Sequence, residues 1–242
     1  MTEQERLDDL IIDGLQIYQR RDMFRFSFDA IALVHFCQFN INHTYVELGT
    51  GTGVIPLIGT SLGAGQITGI DINDTLIDLA RRSVAHNDKS HVVAMVCGDY
   101  RNLSYRDLQD KPFDGGVIVN PPFYDCESGA LPTSKERAAA LHDRHTTLAD
   151  VLQAVQSFIK YKGRLWMIYS AGRLQYVLSQ LEQAHFQVKR LRFIHGMIDK
   201  PAKLVLIEGI YQGSAGLILE PPLIVYDKPN VYTKEVSSWY ER

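Results

Sequence analysis

Cysteine is scarce in this sequence, and its few copies form no pattern. Cys37, Cys97 and Cys126 are the three cysteines, odd in number and far apart in the chain. This spacing excludes a disulfide framework and a paired-cysteine zinc site, and it is typical of reduced intracellular thiols. The eight histidines show no metal-ligand spacing either. We therefore expect no bound metal.

Long hydrophobic runs and a strong excess of one charge are also missing. No run approaches the ~18 apolar residues that a membrane span needs, and the chain starts with polar residues. We therefore expect a cytoplasmic protein without a targeting segment or a membrane partner. A net charge of −3 excludes binding to nucleic acid by bulk electrostatics. Any contact with RNA must use local patches of Lys and Arg.

The length and the order of the predicted elements point to one α/β domain. With 242 residues, the chain can bury a full core but is short for two ordinary domains. Strand-like and helix-like stretches alternate with short links. This alternation predicts a doubly wound, mostly parallel sheet, in which the stretch from Lys203 to Ile210 is the last, antiparallel strand.

A buried strand is predicted to end at the sequence Asn120-Pro121-Pro122-Phe123-Tyr124. Proline lacks the N–H that a strand ladder needs, so the chain must leave the sheet at Asn120. Ligands bind at the carboxyl ends of strands in open parallel sheets. The Asn120 side-chain oxygen and the Pro121 carbonyl could accept the hydrogens of a planar exocyclic amine, while Phe123 or Tyr124 stacks on the ring. A simple loop is the alternative interpretation of Asn-Pro.

A glycine-rich turn follows another predicted strand, in the sequence Glu47-Leu48-Gly49-Thr50-Gly51-Thr52-Gly53. Gly49 and Gly51 let the backbone approach a ligand closely at a helix N-terminus. Asp71 follows about twenty residues later, where an acid accepts both ribose hydroxyls. A dinucleotide site would read Gly-x-Gly-x-x-Gly, and Glu47 would repel a pyrophosphate. The acid suits the cationic end of S-adenosylmethionine, so the pattern favours a methyl donor over NAD.

Further acids are predicted close to this turn. Asp99 ends the third predicted strand, and Asp29 begins a predicted helix. Because the carboxyl ends of parallel strands share one edge, Glu47, Asp71, Asp99 and Asn120 should converge at one crevice. A turn is the alternative role for Asp99, and a helix cap is the alternative for Asp29.

Two segments carry candidate RNA contacts. A polar segment from residue 125 to about residue 144 contains Arg137, and loops of this length are usually functional, although a solvated surface helix is an equal alternative. From Lys189 to Lys203 there are five Lys or Arg residues against one acid. Arg190 and Arg192 share a strand face in this stretch. It is the local basic patch that RNA binding requires.

These motifs together resemble the bacterial tRNA (adenine-N6) methyltransferases that modify the adenosine next to the anticodon of a valine tRNA. The resemblance covers nearly the whole chain. Besides the two motifs above, it includes Asp13-Gly14, Phe24-Arg25-Phe26 with Asp29, Lys200-Pro201-Ala202-Lys203, and Pro221-Pro222-Leu223-Ile224-Val225-Tyr226.

The resemblance implies a Rossmann-like class I methyltransferase with a seven-stranded sheet, S-adenosylmethionine as cofactor and a tRNA anticodon stem-loop as partner. We expect one domain, with a lead-in (1–40) that covers the cofactor site, a core (41–212) and a tail (213–242) packed on the core. We expect a monomer or weak dimer. The implied catalytic residues are Asn120, Pro121 and Phe123. The implied cofactor residues are Asp29, Glu47, Gly49, Gly51, Asp71, Ile72, Asp99, Tyr100 and Asn120. The implied RNA contacts are Tyr124, Arg137, Arg190, Arg192, Lys200 and Lys203.

Three other functions remain open. A guanine-N2 methyltransferase of ribosomal RNA uses a similar Asn-Pro-Pro-Phe motif. A protein-glutamine methyltransferase usually ends the motif in Pro-Pro-Tyr, so Phe123 argues mildly against it. A non-catalytic RNA-binding protein with the same fold would not need the complete set of acids.

Overall fold

One mixed sheet organises the computed structural model, which describes residues 4–23, 27–121 and 146–241. The strands are β1 (Glu5–Asp9), β2 (Gln16–Arg20), β3 (Thr44–Leu48), β4 (Gln66–Asp71), β5 (Val93–Cys97), β6 (Gly116–Val119), β7 (Arg164–Ser170), β8 (Phe186–His195), β9 (Ala202–Tyr211), β10 (Ile218–Leu219), β11 (Leu223–Ile224), β12 (Tyr226–Lys228) and β13 (Val231–Tyr232). The helices are α1 (Phe28–Phe36), α2 (Val54–Ser61), α3 (Asp74–His86), α4 (Leu148–Phe158), α5 (Leu174–Gln183) and α6 (Lys234–Ser238). Of these helices, none has the length and apolar character needed to cross a membrane.

The strand order of the sheet confirms the predicted topology. Strands β5, β4, β3, β6 and β7 lie side by side and run parallel, and β9 lies between β7 and β8 and runs antiparallel to both. These are the seven predicted strands. The sequence did not indicate β10 and β11, which have two residues each and pair with the outer edge of β8. They widen the sheet to nine strands within the described ranges.

The two faces of the sheet bury separate apolar clusters. The side chains of β6 alternate between the two faces of the sheet. Every residue of this strand is buried, because helices cover both faces. Ile118 joins the cluster under α1, α2 and α3, while Val117 and Val119 join the cluster under α4 and α5. Burial on both faces explains why this strand reads as a continuous apolar run.

The N-terminal hairpin of β1 and β2 docks on α3. Asp13 and Gly14, which lie between the two strands, both have positive φ, as is common in hairpin turns. The first strand ends at Asp9, before this turn. The backbone N–H of Tyr18 donates to Ser83 Oγ over 2.9 Å, which ties β2 to the last turn of α3. The hairpin is a separate two-stranded sheet, and this hydrogen bond fixes it to α3.

The C-terminal segment contacts both the sheet edge and α1. Val225 N donates to the carbonyl of His195, at the end of β8, over 2.9 Å. The ring of Trp239 stacks on the ring of His35 with centroids 4.5 Å apart, and Phe28 stacks on the same indole. These contacts hold the C-terminal segment against the end of β8 and against α1.

Candidate active site

Strand register brings the predicted site residues to one edge of the sheet. Leu48 on β3 is paired with Ile70 on β4 and with Val119 on β6. The glycine turn that follows Leu48 therefore lies between Asp71 and Asn120, the residues that follow its two partners. The pairing of Asp71 with Cys97 on β5 extends the same edge towards Asp99.

The glycine turn wraps around the end of β4. Gly49 N and Thr50 N both donate to the Ile70 carbonyl, over 2.8 and 2.9 Å, and Gly51 N donates to Asp71 Oδ2 over 2.8 Å. The φ angles of Gly49 and Gly51 are +77° and +55°, and among the described residues, chain neighbours aside, no atom lies within 4 Å of the position that a Cβ would take at either glycine. Hydrogen bonds to the end of β4 thus hold the turn on one side. On the other side, no described residue fills the space next to the two glycines. A ligand can approach its backbone closely.

Glu47 lies beneath this turn as a buried carboxyl group. Its exposed fraction is 3%, and its Oε2 accepts a hydrogen bond from the hydroxyl of Thr50 over 2.5 Å. Burial raises the pKa of Glu47 to about 8, and the nearby charge of Asp71 adds to the rise. A cation bound next to Glu47 would lower this pKa again. The group therefore fits the cationic end of S-adenosylmethionine.

The end of β4 offers a polar group beside an apolar one. Besides binding Gly51, the carboxylate of Asp71 accepts a hydrogen bond from Asn73 N over 2.9 Å. The next residue, Ile72, has an apolar side chain that is 47% exposed. An exposed aliphatic side chain next to a carboxylate can support a planar base, while the carboxylate faces the attached sugar.

Asp99 caps a short 3-10 turn from Tyr100 to Asn102. Its carboxylate accepts from the backbone and the side chain of Arg101, with the shortest contact at 2.7 Å from Nη2. This ion pair holds the pKa of Asp99 below its usual value. Tyr100 is half-buried against the apolar cluster under α4. The turn role considered for Asp99 is therefore real, and it places the carboxylate at the site edge.

The structure describes the first two residues of the Asn-Pro-Pro-Phe motif. Asn120 follows β6 directly and is half-buried, and Pro121 is buried. Phe123, Tyr124 and Arg137 lie outside the described residues, so their predicted roles stay predictions.

Asp29 lies in the first turn of α1. Its half-buried carboxyl group has a raised pKa because burial outweighs a hydrogen bond with the Ser27 side chain. Ser27 occupies the N-cap position of α1, although its side chain makes no capping bond to the helix. The cofactor role of Asp29 stays a prediction, since these contacts are local to α1.

The structure revises the expected RNA patch at two positions. Arg190 is bound to Glu208 and Glu220, each over 2.6 Å, and Arg192 binds both carboxylate oxygens of Glu235 over 2.7 and 2.8 Å. The side chain of each arginine is only 18% exposed. Their charges are neutralised within the chain, so we no longer assign them to RNA.

Two lysines of the predicted patch are on the surface. Lys200 is 59% exposed at its side chain and forms an ion pair over 3.0 Å with Asp199, which is itself exposed. Lys203 is also exposed, at the start of β9. Exposed ion pairs of this kind are weak, so the Lys200 ammonium group can exchange partners.

Sequence reasoning missed two residues that contact the predicted acids. Thr50 hydrogen-bonds Glu47 from three positions along the chain, and Arg101 binds Asp99 from two positions along. Both partners are close in sequence, so the local spacing of an acid and a donor was the available signal. The described residues contain no cluster of three or more His, Cys, Asp or Glu that could hold a metal ion.

The sequence is similar to that of known methyltransferases. Residues 40–208 match a family model described as a methyltransferase domain. The protein named tRNA1(Val) (adenine(37)-N6)-methyltransferase from Flavobacteriaceae bacterium strain 3519-10 is 22% identical over 223 residues, which cover 90% of each chain. The protein of the same name from Vibrio vulnificus strain YJ016 is 23% identical over 183 residues, or 75% of this chain and 74% of the relative.

Solved structures share the fold. A predicted O-methyltransferase from Agrobacterium tumefaciens superposes with a TM-score of 0.68 at 17% identity, over 88% of this chain and 95% of the other. The tRNA (uracil-54, C5)-methyltransferase of Pyrococcus abyssi, in complex with S-adenosyl-L-homocysteine, has a TM-score of 0.55 at 17% identity, over 86% of this chain and 45% of the other. At these identities, the likeness establishes a common architecture.

Proposed function

The chain belongs to the methyltransferase domain family, and from this membership we propose that it transfers a methyl group from S-adenosylmethionine to the exocyclic N6 amine of an adenosine in the anticodon loop of a tRNA. The observation that carries the proposal is the strand register around Leu48. It places Asn120 and Pro121 beside the glycine turn and above a buried acid, Glu47.

The donor would be held by residues from three strand ends. Glu47 meets its cationic end, the turn at Gly49 and Gly51 admits it, and Asp71 accepts from the ribose hydroxyls. Ile72 and Tyr100 would enclose the adenine, close to Asp99. When bound, S-adenosylmethionine supplies an electrophilic methyl group on its sulfonium.

The acceptor chemistry rests on Asn120 and Pro121. The nitrogen of an adenine amine is a poor nucleophile because its lone pair is delocalised into the ring. Two acceptors, the Asn120 side-chain oxygen and the Pro121 carbonyl, would take its two hydrogens and draw the nitrogen towards tetrahedral geometry. The lone pair is then available in line with the methyl group, and alignment supplies most of the rate gain. The methylated nitrogen would be cationic and acidic, so its proton would pass to solvent, and the donor would leave as S-adenosylhomocysteine.

The choice of tRNA follows from the named relatives and from the chemistry of access. An adenosine must leave its stack to reach a strand-end pocket, at a cost of a few kcal/mol. Bases of an anticodon loop are already splayed, so the extrusion costs less there. The exposed Lys200 and Lys203 would contact the phosphates. The proposal places the protein in the cytoplasm, where tRNA is found, as a monomer or weak dimer.

Transfer of labelled methyl groups tests the proposal. Purified protein is incubated with labelled S-adenosylmethionine and, in separate reactions, with total tRNA and ribosomal RNA from a strain that lacks the gene. Label in N6-methyladenosine of a tRNA is the expected result. Label in N2-methylguanosine of ribosomal RNA would replace the substrate but keep the donor site. Absence of label in both RNAs would overturn the proposal.

A further inference from the structure

The carboxylate of Asp99 has its hydrogen-bonding capacity filled from within the chain. Oδ1 accepts from Arg101 N over 3.0 Å and from Arg101 Nε over 2.8 Å. Oδ2 accepts from Arg101 Nη2 over 2.7 Å and from Asn102 Nδ2 over 3.4 Å. A carboxylate offers about four lone-pair sites, and four donors occupy them here. An incoming amine can bond to Asp99 only if one of these donors withdraws.

The guanidinium of Arg101 is the donor best placed to withdraw. The bond from Arg101 N is part of the 3-10 turn and is fixed by the backbone. The side chain of Arg101 is 36% exposed, which allows it to turn outward. The side chains of Arg101 and Asp99 are both partly exposed, so a ligand that offers its own donor can compete with the guanidinium for the carboxylate.

A second contact ties the same guanidinium to the residue before α4. Arg101 Nη1 donates to the hydroxyl of Thr146 over 3.1 Å. Thr146 directly precedes Thr147, the N-cap of α4, and α4 is the first described helix after Asn120. One side chain therefore spans from the acid expected to bind the donor adenine to the start of α4.

We propose that Arg101 occupies Asp99 while the donor is absent, and that the adenine amine of the donor displaces its guanidinium, which then binds a phosphate of the RNA. The inference rests on the proposed function, because it assumes that Asp99 receives the adenine amine. The planar guanidinium fork suits phosphate oxygens as well as a carboxylate. Arg101 is then a positioning residue that makes RNA binding depend on donor binding.

Two consequences follow from this exchange. A ligand that frees Arg101 must tighten RNA binding, and RNA must tighten binding of that ligand by the same factor, since coupling between two sites is reciprocal. Replacing Arg101 removes a competitor from Asp99, so the donor site should bind more tightly in the absence of RNA. A merely structural arginine would give the opposite result, because its loss would weaken the turn that carries Asp99.

The experiment measures affinities of the whole protein for the unreactive product S-adenosylhomocysteine and for an in vitro transcribed valine tRNA, each with and without the other. In the wild type we expect each ligand to tighten the other by about fivefold or more. In Arg101→Gln, we expect S-adenosylhomocysteine alone to bind about threefold tighter, with the coupling reduced to about one. In Arg101→Lys, which keeps the charge but loses the fork, we expect the tighter donor site with part of the coupling retained.

Arg106→Gln is the matched control. Arg106 is exposed in the next 3-10 turn and lies over the ring of Tyr105, with no assigned contact to Asp99. This variant should keep the wild-type coupling. Weaker binding of S-adenosylhomocysteine by both Arg101 variants, or unchanged coupling in them, would overturn the inference while methyl transfer by the wild type would still support the proposed function. If the wild type bound no S-adenosylhomocysteine, both proposals would fail.

Discussion

Arg190 Nη1 donates to Oε2 of Glu208 over 2.6 Å, across the antiparallel strands β8 and β9. The carboxylate is only 3% exposed, and its other oxygen binds Arg164 of β7 over 3.0 Å. The buried carboxylate of Glu208 on β9 thus connects the two neighbouring antiparallel strands, β7 and β8. Arg190 takes part in these contacts between strands, and its side chain is therefore largely buried.

Replacing Glu208 should destabilise the fold. In Glu208→Gln, Arg190 keeps Glu220 as a partner but loses its buried one, and breaking a buried pair on one side costs ~3 kcal/mol. The midpoint of urea unfolding should fall accordingly. Asp199→Asn is the control, because the ion pair of Asp199 with Lys200 is exposed and such pairs contribute less than about 1 kcal/mol. Equal effects of the two changes would contradict a stabilising role for Glu208.

The salt dependence of RNA binding should report on the exposed lysines. We expect the double variant Lys200→Gln, Lys203→Gln to bind the tRNA more weakly and to lower the slope of log K against log salt by about 0.7 to 0.9 for each lost phosphate contact. Arg192→Gln should leave the slope unchanged, because Arg192 is already neutralised by Glu235. A flatter slope for Arg192→Gln alone would return that arginine to the RNA surface.

The sequence predicted the main strands but not the ion pairs between residues that are far apart in the chain. The apolar runs that form β3, β6 and β7 have a period and a length that identify strands directly. The partners of Arg190 lie 18 and 30 residues further along the chain, at Glu208 and Glu220. No local pattern indicates such distant pairs. The sequence therefore predicted an RNA-binding surface from the basic residues alone, because it did not show that the fold pairs Arg190 with these two acids.

The candidate site was more predictable than the charges around it. Glu47, Asp71 and Asn120 each lie at the carboxyl end of a strand that could be recognised, and parallel strands end at a common edge. Their convergence needed only the strand order. The saturation of Asp99 by Arg101 could not be foreseen with the same certainty, because an arginine two residues from an acid can equally face the solvent. Strands of two residues, such as β10, give no sequence signal of their own.

Asn120→Ala should separate chemistry from donor binding. Loss of one aligned acceptor should lower the rate of methyl transfer at least ~100-fold. The affinity for S-adenosylhomocysteine should stay within a few-fold of the wild type, because Glu47 and the glycine turn hold the donor. Single-turnover kinetics and a binding titration measure the two quantities. Turnover close to that of the wild type would refute the role of Asn120.

The titration of Glu47 should make the donor-free protein less stable at higher pH. The pKa of this group rises from an ordinary 4.5 to about 8 in the fold. Between these values the folded protein holds a proton that the unfolded chain has released, so the free energy of unfolding falls as the pH rises, by up to about 1.4 kcal/mol per pH unit. Urea unfolding at pH 5, 6, 7 and 8 tests this.

Glu47→Gln is the control for that pH series. Glutamine cannot titrate, although it keeps an oxygen that can accept from Thr50. The stability of this variant should therefore fall less between pH 5 and pH 8 than that of the wild type. Parallel pH curves for the two proteins would show that Glu47 keeps an ordinary pKa. The variant should also bind S-adenosylhomocysteine more weakly at pH 8, where about half of the wild-type Glu47 groups are charged before the ligand binds and its cationic end favours the charged form.

Gly51→Ala should weaken donor binding more than it weakens the fold. The φ of Gly51 is +55°, and a Cβ there would enter the space above the turn without touching any residue in the described ranges, its chain neighbours aside. The backbone penalty for alanine is about 1 kcal/mol.

Gly14→Ala is a matched control, because Gly14 has a φ of +65° and equally open surroundings in the N-terminal hairpin. Both variants should lose similar stability, whereas only Gly51→Ala should lose affinity for S-adenosylhomocysteine, by about tenfold or more, since the donor must approach this backbone closely. Equal affinities of the two variants would mean that the open space above Gly51 is not where the donor binds.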